Sequence, residues 1–186
     1  MARADELTQT ALERRCLAEL RDASGEVEGP MERHCVRCFM FVERMAARRG
    51  LDVDREVALC AAFLHDIGIY PSRSRGGVYT DESGELAKRL FAEAEADPAR
   101  AQLCADACAY HHARSDQTAR GAEVELLRLA DQVEVFGGLR RHGLTRDEVR
   151  AAFDEVPRAG LYSHIAKLTI RALRDRPRTL PKIFKR

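Results

Sequence analysis

The chain has 186 residues, 45% hydrophobic and 33% charged, enough for one globular core and too ordinary in composition for a disordered segment. Its 31 Lys and Arg against 30 Asp and Glu leave a formal net charge of +1, and Trp is absent; charge and aromatic content make no case for a nucleic-acid partner. No apolar run approaches the ~20 residues of a membrane-spanning helix, and the first residues lack the apolar stretch of a signal peptide. A cytoplasmic location is therefore the expectation, with the six cysteines reduced.

Ala, Arg, Leu and Glu dominate, which favours helix, and no segment sustains two-residue alternation, so no sheet is expected. A first helix is read from about Asp5 to Asp22, ended by the loop 23–30. Pro30 suits the first turn of a second helix and Gly50 its C-terminal cap. A third helix runs from about Val53 to Ile67, and Gly68–Thr80, holding Pro71, Gly76 and Gly77, is the longest irregular stretch. A helix from about Asp81 to Glu95 follows, then one opened by Asp97-Pro98 that ends near His112. Gly121 precedes a long helix through Val124–Phe136, which Gly137-Gly138 ends or bends. Thr145-Arg-Asp-Glu148 has the pattern of a capping box, and beyond Pro157 a last helix covers about Ala159 to Arg174. The whole reads as one all-α domain over residues 1–186, with a chemistry-bearing core at 30–136 and C-terminal helices with a basic arm at 145–186.

The chemistry starts at Val57–Leu64, eight consecutive apolar residues in a helical context, followed at once by His65 and Asp66. An imidazole and a carboxylate at the end of a buried helix are costly unless compensated, and a divalent cation compensates both. His34 lies on an inward stripe with Met31, Cys38, Phe41, Val42 and Met45. Asp131 has Leu127 and Val135 four residues to either side, with Arg128 and Gln132 at outward positions. Alone, His34 reads as a hydrogen-bonded core histidine and Asp131 as half of a buried ion pair. Together, three helices aim metal-type ligands inward.

The strings Glu32-Arg33-His34, Phe63-Leu64-His65-Asp66-Ile67-Gly68 and Leu127-Arg128-Leu129-Ala130-Asp131 carry the order His … His-Asp … Asp. In that order the chain resembles the HD superfamily of metal-dependent phosphohydrolases. The resemblance implies a helical bundle with a buried metal site in which His34, His65, Asp66 and Asp131 are the ligands. It also implies hydrolysis of a small phosphate ester or nucleotide. The metal stays open among Mn, Mg, Co, Ni, Zn and Fe.

Relatives with two metals carry two more histidines. Tyr110-His111-His112 fits the second of these, with His111 favoured as ligand and His112 as a neighbour or substrate contact. The region 78–85 lacks the first, leaving Asp81 or Glu82 as a substitute oxygen ligand for a second metal with His111, or else a single-metal site; Asp81 also reads as a helix cap. The glutamate that some nucleotidase branches place three residues after the His-Asp pair is Ile69 here, so a general base is sought among Asp66, Asp81, Glu82 and Glu85. Asp66, His111 and His112 are the catalytic candidates.

Arg73, Arg114 and Lys88, with Arg75, flank the site in or beside irregular segments and suit an anionic substrate, though each alone reads as solvated surface. Cys35–Cys38 has zinc spacing and Cys104–Cys108 forms a second pair, but both sit in helices without knuckle glycines, so packing beneath the pocket is the plainer reading. The basic tail from Arg171 is expected to dock through Leu180, Ile183 and Phe184 rather than bind a polyanion. Two alternatives stay beside hydrolysis. One is a hydratase or di-iron oxygenase acting on a small non-phosphate molecule. The other is a non-catalytic nucleotide- or metal-binding module.

Overall fold

A computed structural model describes residues 3–179 and Lys182. Among these there is no strand; nine α-helices and two short 3-10 turns carry the fold. Leu180, Ile183 and Phe184, expected to dock the tail, lie outside the described residues. No described helix is long and apolar enough to cross a membrane.

The first expected helix is two: α1 (Arg3–Leu7) and α2 (Ala11–Ser24). They are divided where the Thr10 hydroxyl accepts from Glu13 N–H and the Glu13 carboxylate accepts from Thr10 N–H, a capping box that restarts the helix. Helix α3 (Pro30–Arg49) starts on Pro30 and ends at Gly50, whose φ of 61° suits a residue without Cβ.

Helix α4 (Arg55–Leu64) is capped by Asp54, whose side chain accepts from Val57 N–H; its residues 57–64 are all buried. It stops three residues before the expected end. His65 caps it, Asp66 adopts φ −104° and ψ 0°, and Ile67–Ile69 form a 3-10 turn. Hence the two motif residues stand at a change of backbone geometry rather than on the helix cylinder.

Helix α5 (Tyr79–Glu93) begins two residues before the expected start, at Tyr79. Helix α6 (Pro98–Tyr110), α7 (Ala122–Val135), α8 (Arg146–Glu155) and α9 (Leu161–Asp175) follow. The Thr145–Glu148 capping box at the start of α8 forms as read.

Helix α3 packs against α4 and α7, α4 against α2 and α6, and α5 against α6. The α5–α6 approach needs Gly84, where a Cβ would lie 2.9 Å from the Ala105 carbonyl oxygen. Gly68 has a tighter constraint: a Cβ there would sit 2.2 Å from the Tyr79 carbonyl oxygen, and its N–H donates to Ser83 Oγ at 2.9 Å. The turn after the His-Asp pair is thereby pressed onto the start of α5. Helix α9 packs lightly for its length, with only Leu161 and Ala172 buried.

Candidate metal centre

The core is apolar, yet His34, His65 and His111 are fully buried in it and Asp131 nearly so. The α3 stripe delivers His34, the end of α4 delivers His65 and Asp66, the end of α6 delivers His111 and His112, and α7 delivers Asp131. Their polar atoms converge. His34 Nε2 lies 3.1 Å from His65 Nε2, 3.6 Å from Asp131 Oδ1 and 3.8 Å from Asp66 Oδ2. His65 Nε2 is 3.4 Å from Asp66 Oδ2, and His111 Nε2 is 3.2 Å from Asp66 Oδ1.

The outer faces of the rings explain the inner ones. His65 Nδ1 meets the Ala62 carbonyl at 2.9 Å, and His111 Nδ1 meets the Cys108 carbonyl at 2.7 Å. A carbonyl only accepts, so each Nδ1 carries a hydrogen and donates it outward, leaving Nε2 to face inward. His34 Nδ1 faces Glu134 Oε1 at 3.7 Å, the same arrangement with a carboxylate behind it. Holding a ligand ring from behind is what a metal site requires of its surroundings.

Imidazole nitrogens and carboxylate oxygens therefore face one another across the centre. Asp66 Oδ1 and His111 Nε2 are buried, 3.2 Å apart, and form no hydrogen bond. Burial opposes charge on His65, but the neighbouring Asp66 outweighs it and moves the ring up to about 9. The cluster draws in a positive charge, and a proton takes that role when no metal is bound. A cation with bonds of about 2.1 Å would separate its ligand atoms by roughly 3.0 to 3.4 Å, close to the edges observed here. The residues fit a divalent metal. Ligand atoms within 4.8 Å of one another form three overlapping buried sets: His34, Cys38, His65 and Asp131; His65, Asp66 and His111; and His111, His112 and Asp131.

Around them, the Tyr79 hydroxyl lies 2.6 Å from His112 Nε2, and His112 Nδ1 lies 3.6 Å from Asp131 Oδ2. Burial and the adjacent His111 push His112 down to about 4, so it is neutral at pH 7. Burial, with Asp66 and Asp131 nearby, pushes the Tyr79 hydroxyl well up, so it stays protonated and donates to His112. Asp66 and His112 keep partial exposure and mark the side on which the centre meets solvent.

The other candidates lie apart. Asp81 belongs to none of the ligand sets; with Arg73 it lines a cavity of about 480 Å³ whose walls hold none of the buried histidines. Arg73 is paired with Glu19 and Asp22 of α2. Lys88 sits 3.9 Å from Glu85, and Arg114 is exposed in the loop after α6. Glu82 accepts from Arg75 N–H and Gly77 N–H at 2.7 Å and from Arg176 at 3.1 Å, so it organises a loop. Glu85 is exposed. Arg128 is not outward: it is buried against Glu125 and reaches the Ala113 carbonyl, fastening the loop behind His112, whereas Val135 is the exposed neighbour of Asp131.

Three contributors went unread as site residues. Cys38 was visible on the His34 stripe, one turn along, but as packing. Tyr79 and Glu134 give no local signal, since each acquires its role from a partner on another helix. All six cysteines are free and buried, and the Cys104–Cys108 pair falls in none of the ligand sets.

No curated protein matches the chain. The HD domain family model matches residues 31–135, more than half of the 186 residues and the whole span from His34 to Asp131. With the buried His/Asp cluster those residues assemble, the chain belongs to the HD domain family.

Proposed function

We propose that this chain is a metal-dependent hydrolase of a small phosphate ester or nucleotide, with His34, His65, Asp66 and Asp131 holding the metal. The observation that carries the reading is the convergence of buried imidazole nitrogens and carboxylate oxygens, with Asp66 Oδ1 and His111 Nε2 left without hydrogen-bond partners, beside the partly exposed Asp66 and His112. When bound, the cation supplies Lewis acidity. The Asp66 carboxylate is the acceptor that orients a water, because His65 and His111 overcome burial and keep it ionised, well below the usual carboxylate range. His111, whose Nε2 lies 3.2 Å from Asp66 Oδ1, would be a ligand of a second cation, whereas Asp81 belongs to none of the ligand sets. His112, held by Tyr79, steadies Asp131. Arg73, Arg114 and Lys88 remain the candidates for the substrate's anionic end.

A panel of phosphate esters and nucleotides, assayed with Mn²⁺, Mg²⁺, Co²⁺ or Ni²⁺, tests this. Wild type is expected to turn over at least one member, and Asp66→Ala to lose about a hundredfold or more. Nucleotide binding with no turnover anywhere on the panel would leave a binding module in its place.

A second reading has its own support. Arg73 is paired with two acids and Lys88 with one, so two of the three candidate cations already have carboxylate partners. That favours a compact, weakly charged substrate for a hydratase or an oxygenase. Iron in the purified protein together with oxygen consumption would select it.

A further inference from the structure

We propose that the cavity between helix α8 and the turn that follows α7 binds a phosphate monoester carrying an aromatic or apolar group, a nucleoside monophosphate being the simplest example, at a place separate from the metal centre. The inference does not depend on the hydrolase reading.

Gly137 and Gly138 follow α7 with φ of 62° and 79°, and a Cβ on Gly138 would lie 2.7 Å from Val149 Cγ1, so the turn closes directly onto α8. The cavity left between them holds about 350 Å³, within the roughly 300–1,000 Å³ of small-molecule sites. From α8 it takes Arg146, Val149, Arg150 and Phe153, which share one helical face at i, i+3, i+4 and i+7. Val149 is buried and Phe153 partly so, with its ring edge-on to Phe41 of α3 at 5.8 Å; these two side chains give the cavity an apolar wall held by the core. Leu139, on the turn, adds an aliphatic side chain that folding leaves 85% exposed. No residue of the metal-ligand sets lines this cavity.

The charges name the other half of the ligand. Arg141 of the turn joins Arg146 and Arg150 in the lining. Among the described residues Arg141 and Arg146 form no ion pair and no side-chain hydrogen bond. Arg150 Nε stands 3.6 Å from Asp154 Oδ2 with the two side chains 78% and 72% exposed, a pair worth little in water. The remaining acids of α8 are turned elsewhere or lie outside the lining: Glu148 pairs with Arg48 and Glu155 with Arg3, and Asp147 is not part of it. Three guanidinium groups against one carboxylate leave two positive charges (3 − 1 = 2), which match the roughly −1.5 to −2 of a phosphate monoester at pH 7. Guanidinium forks hold phosphate oxygens in pairs, and the apolar wall takes the aromatic or aliphatic remainder. Inorganic phosphate alone would leave that wall uncovered, and a neutral molecule would leave the cations unpaired.

Calorimetric titration of the full chain with adenosine 5′-monophosphate, in a chelator that keeps metals away, tests this. Wild type is expected to bind one equivalent, with adenosine and inorganic phosphate each at least about tenfold weaker. The double variant Arg141→Ala/Arg146→Ala is expected to lose about tenfold or more in affinity, because each removes a charge-assisted contact. Arg140→Ala, whose guanidinium lies over the Phe136 ring at 4.2 Å and does not line the cavity, is expected to bind as wild type does. All three positions are exposed, so the variants are expected to keep the wild-type melting temperature. No binding at millimolar nucleotide overturns the proposal, as does an equal loss in Arg140→Ala, which would reduce it to diffuse attraction. Binding that survives the double variant and vanishes in Asp66→Ala places the nucleotide at the metal centre and also overturns it. Either result leaves the hydrolase reading to its own substrate panel.

Discussion

Glu134 shows at the scale of one residue how far the centre reaches. It is fully buried, faces His34 Nδ1 on one side, and accepts from Arg37 Nε at 3.0 Å and Nη2 at 2.5 Å on the other. Burial works against its charge, but His34 and Arg37 prevail and hold it down at about 2. Arg37, itself buried, also donates to the Val156 and Pro157 carbonyls. Removing it strands a carboxylate in the core, so Arg37→Ala is expected to cost about 3–5 kcal/mol in chemical denaturation. A variant of unchanged stability would show the pair to be incidental. Sequence made His34, His65, Asp66 and Asp131 visible because each puts a costly polar group on an otherwise apolar face. It hid Glu134 and Arg37 because two charges on separate helices look like surface until the helices are packed.

Elements were legible where local chemistry dictates their ends. Pro30 with Gly50, and Thr145 with Glu148, delimit α3 and start α8 as their residue types require. The end of α4 was not legible: no Gly or Pro stands between Val57 and Ile67, and the break accompanies the close approach of Gly68 to Tyr79 and Ser83 of a helix further along the chain. The break matters chemically, since it turns Asp66 between His65 and His111. The start of α4 carries a pH dependence. Hydrogen bonding to Arg100 lowers the Asp54 carboxyl against the opposing effect of burial, helped by the Val57 N–H. A depressed folded value means stability present above the unfolded value of about 3.9 and lost as pH falls through the folded one. Asp54→Asn keeps an N-cap and removes the ionisable group. Its melting temperature is expected to lie below wild type at pH 7, with the gap closing below about pH 4. A gap that stays constant to pH 2.5 would show that Asp54 contributes through its cap alone.

For the whole molecule, an all-helical chain organised around an inward His/Asp set was readable from the motif order and the absence of alternation. What was not readable is how the last helix of the chain bears on its middle. Helix α9 has little buried surface, yet beyond its end Arg176 reaches Glu82 at 3.1 Å, Ser74 Oγ at 2.6 Å and the Ile69 carbonyl at 3.3 Å, and His164 meets the Tyr70 hydroxyl at 3.0 Å. Of those anchors, Ile69 and Tyr70 belong to the turn immediately after Asp66 and its cap, and Ser74 and Glu82 follow it. The span shared with the family, 31–135, therefore contains every proposed ligand but not the clasp that steadies the loop bearing two of them. An excised fragment of that span should bind zinc more weakly than the intact polypeptide and exchange the amide hydrogens of 66–70 faster. The boundary of the inherited motif is not the boundary of the working unit.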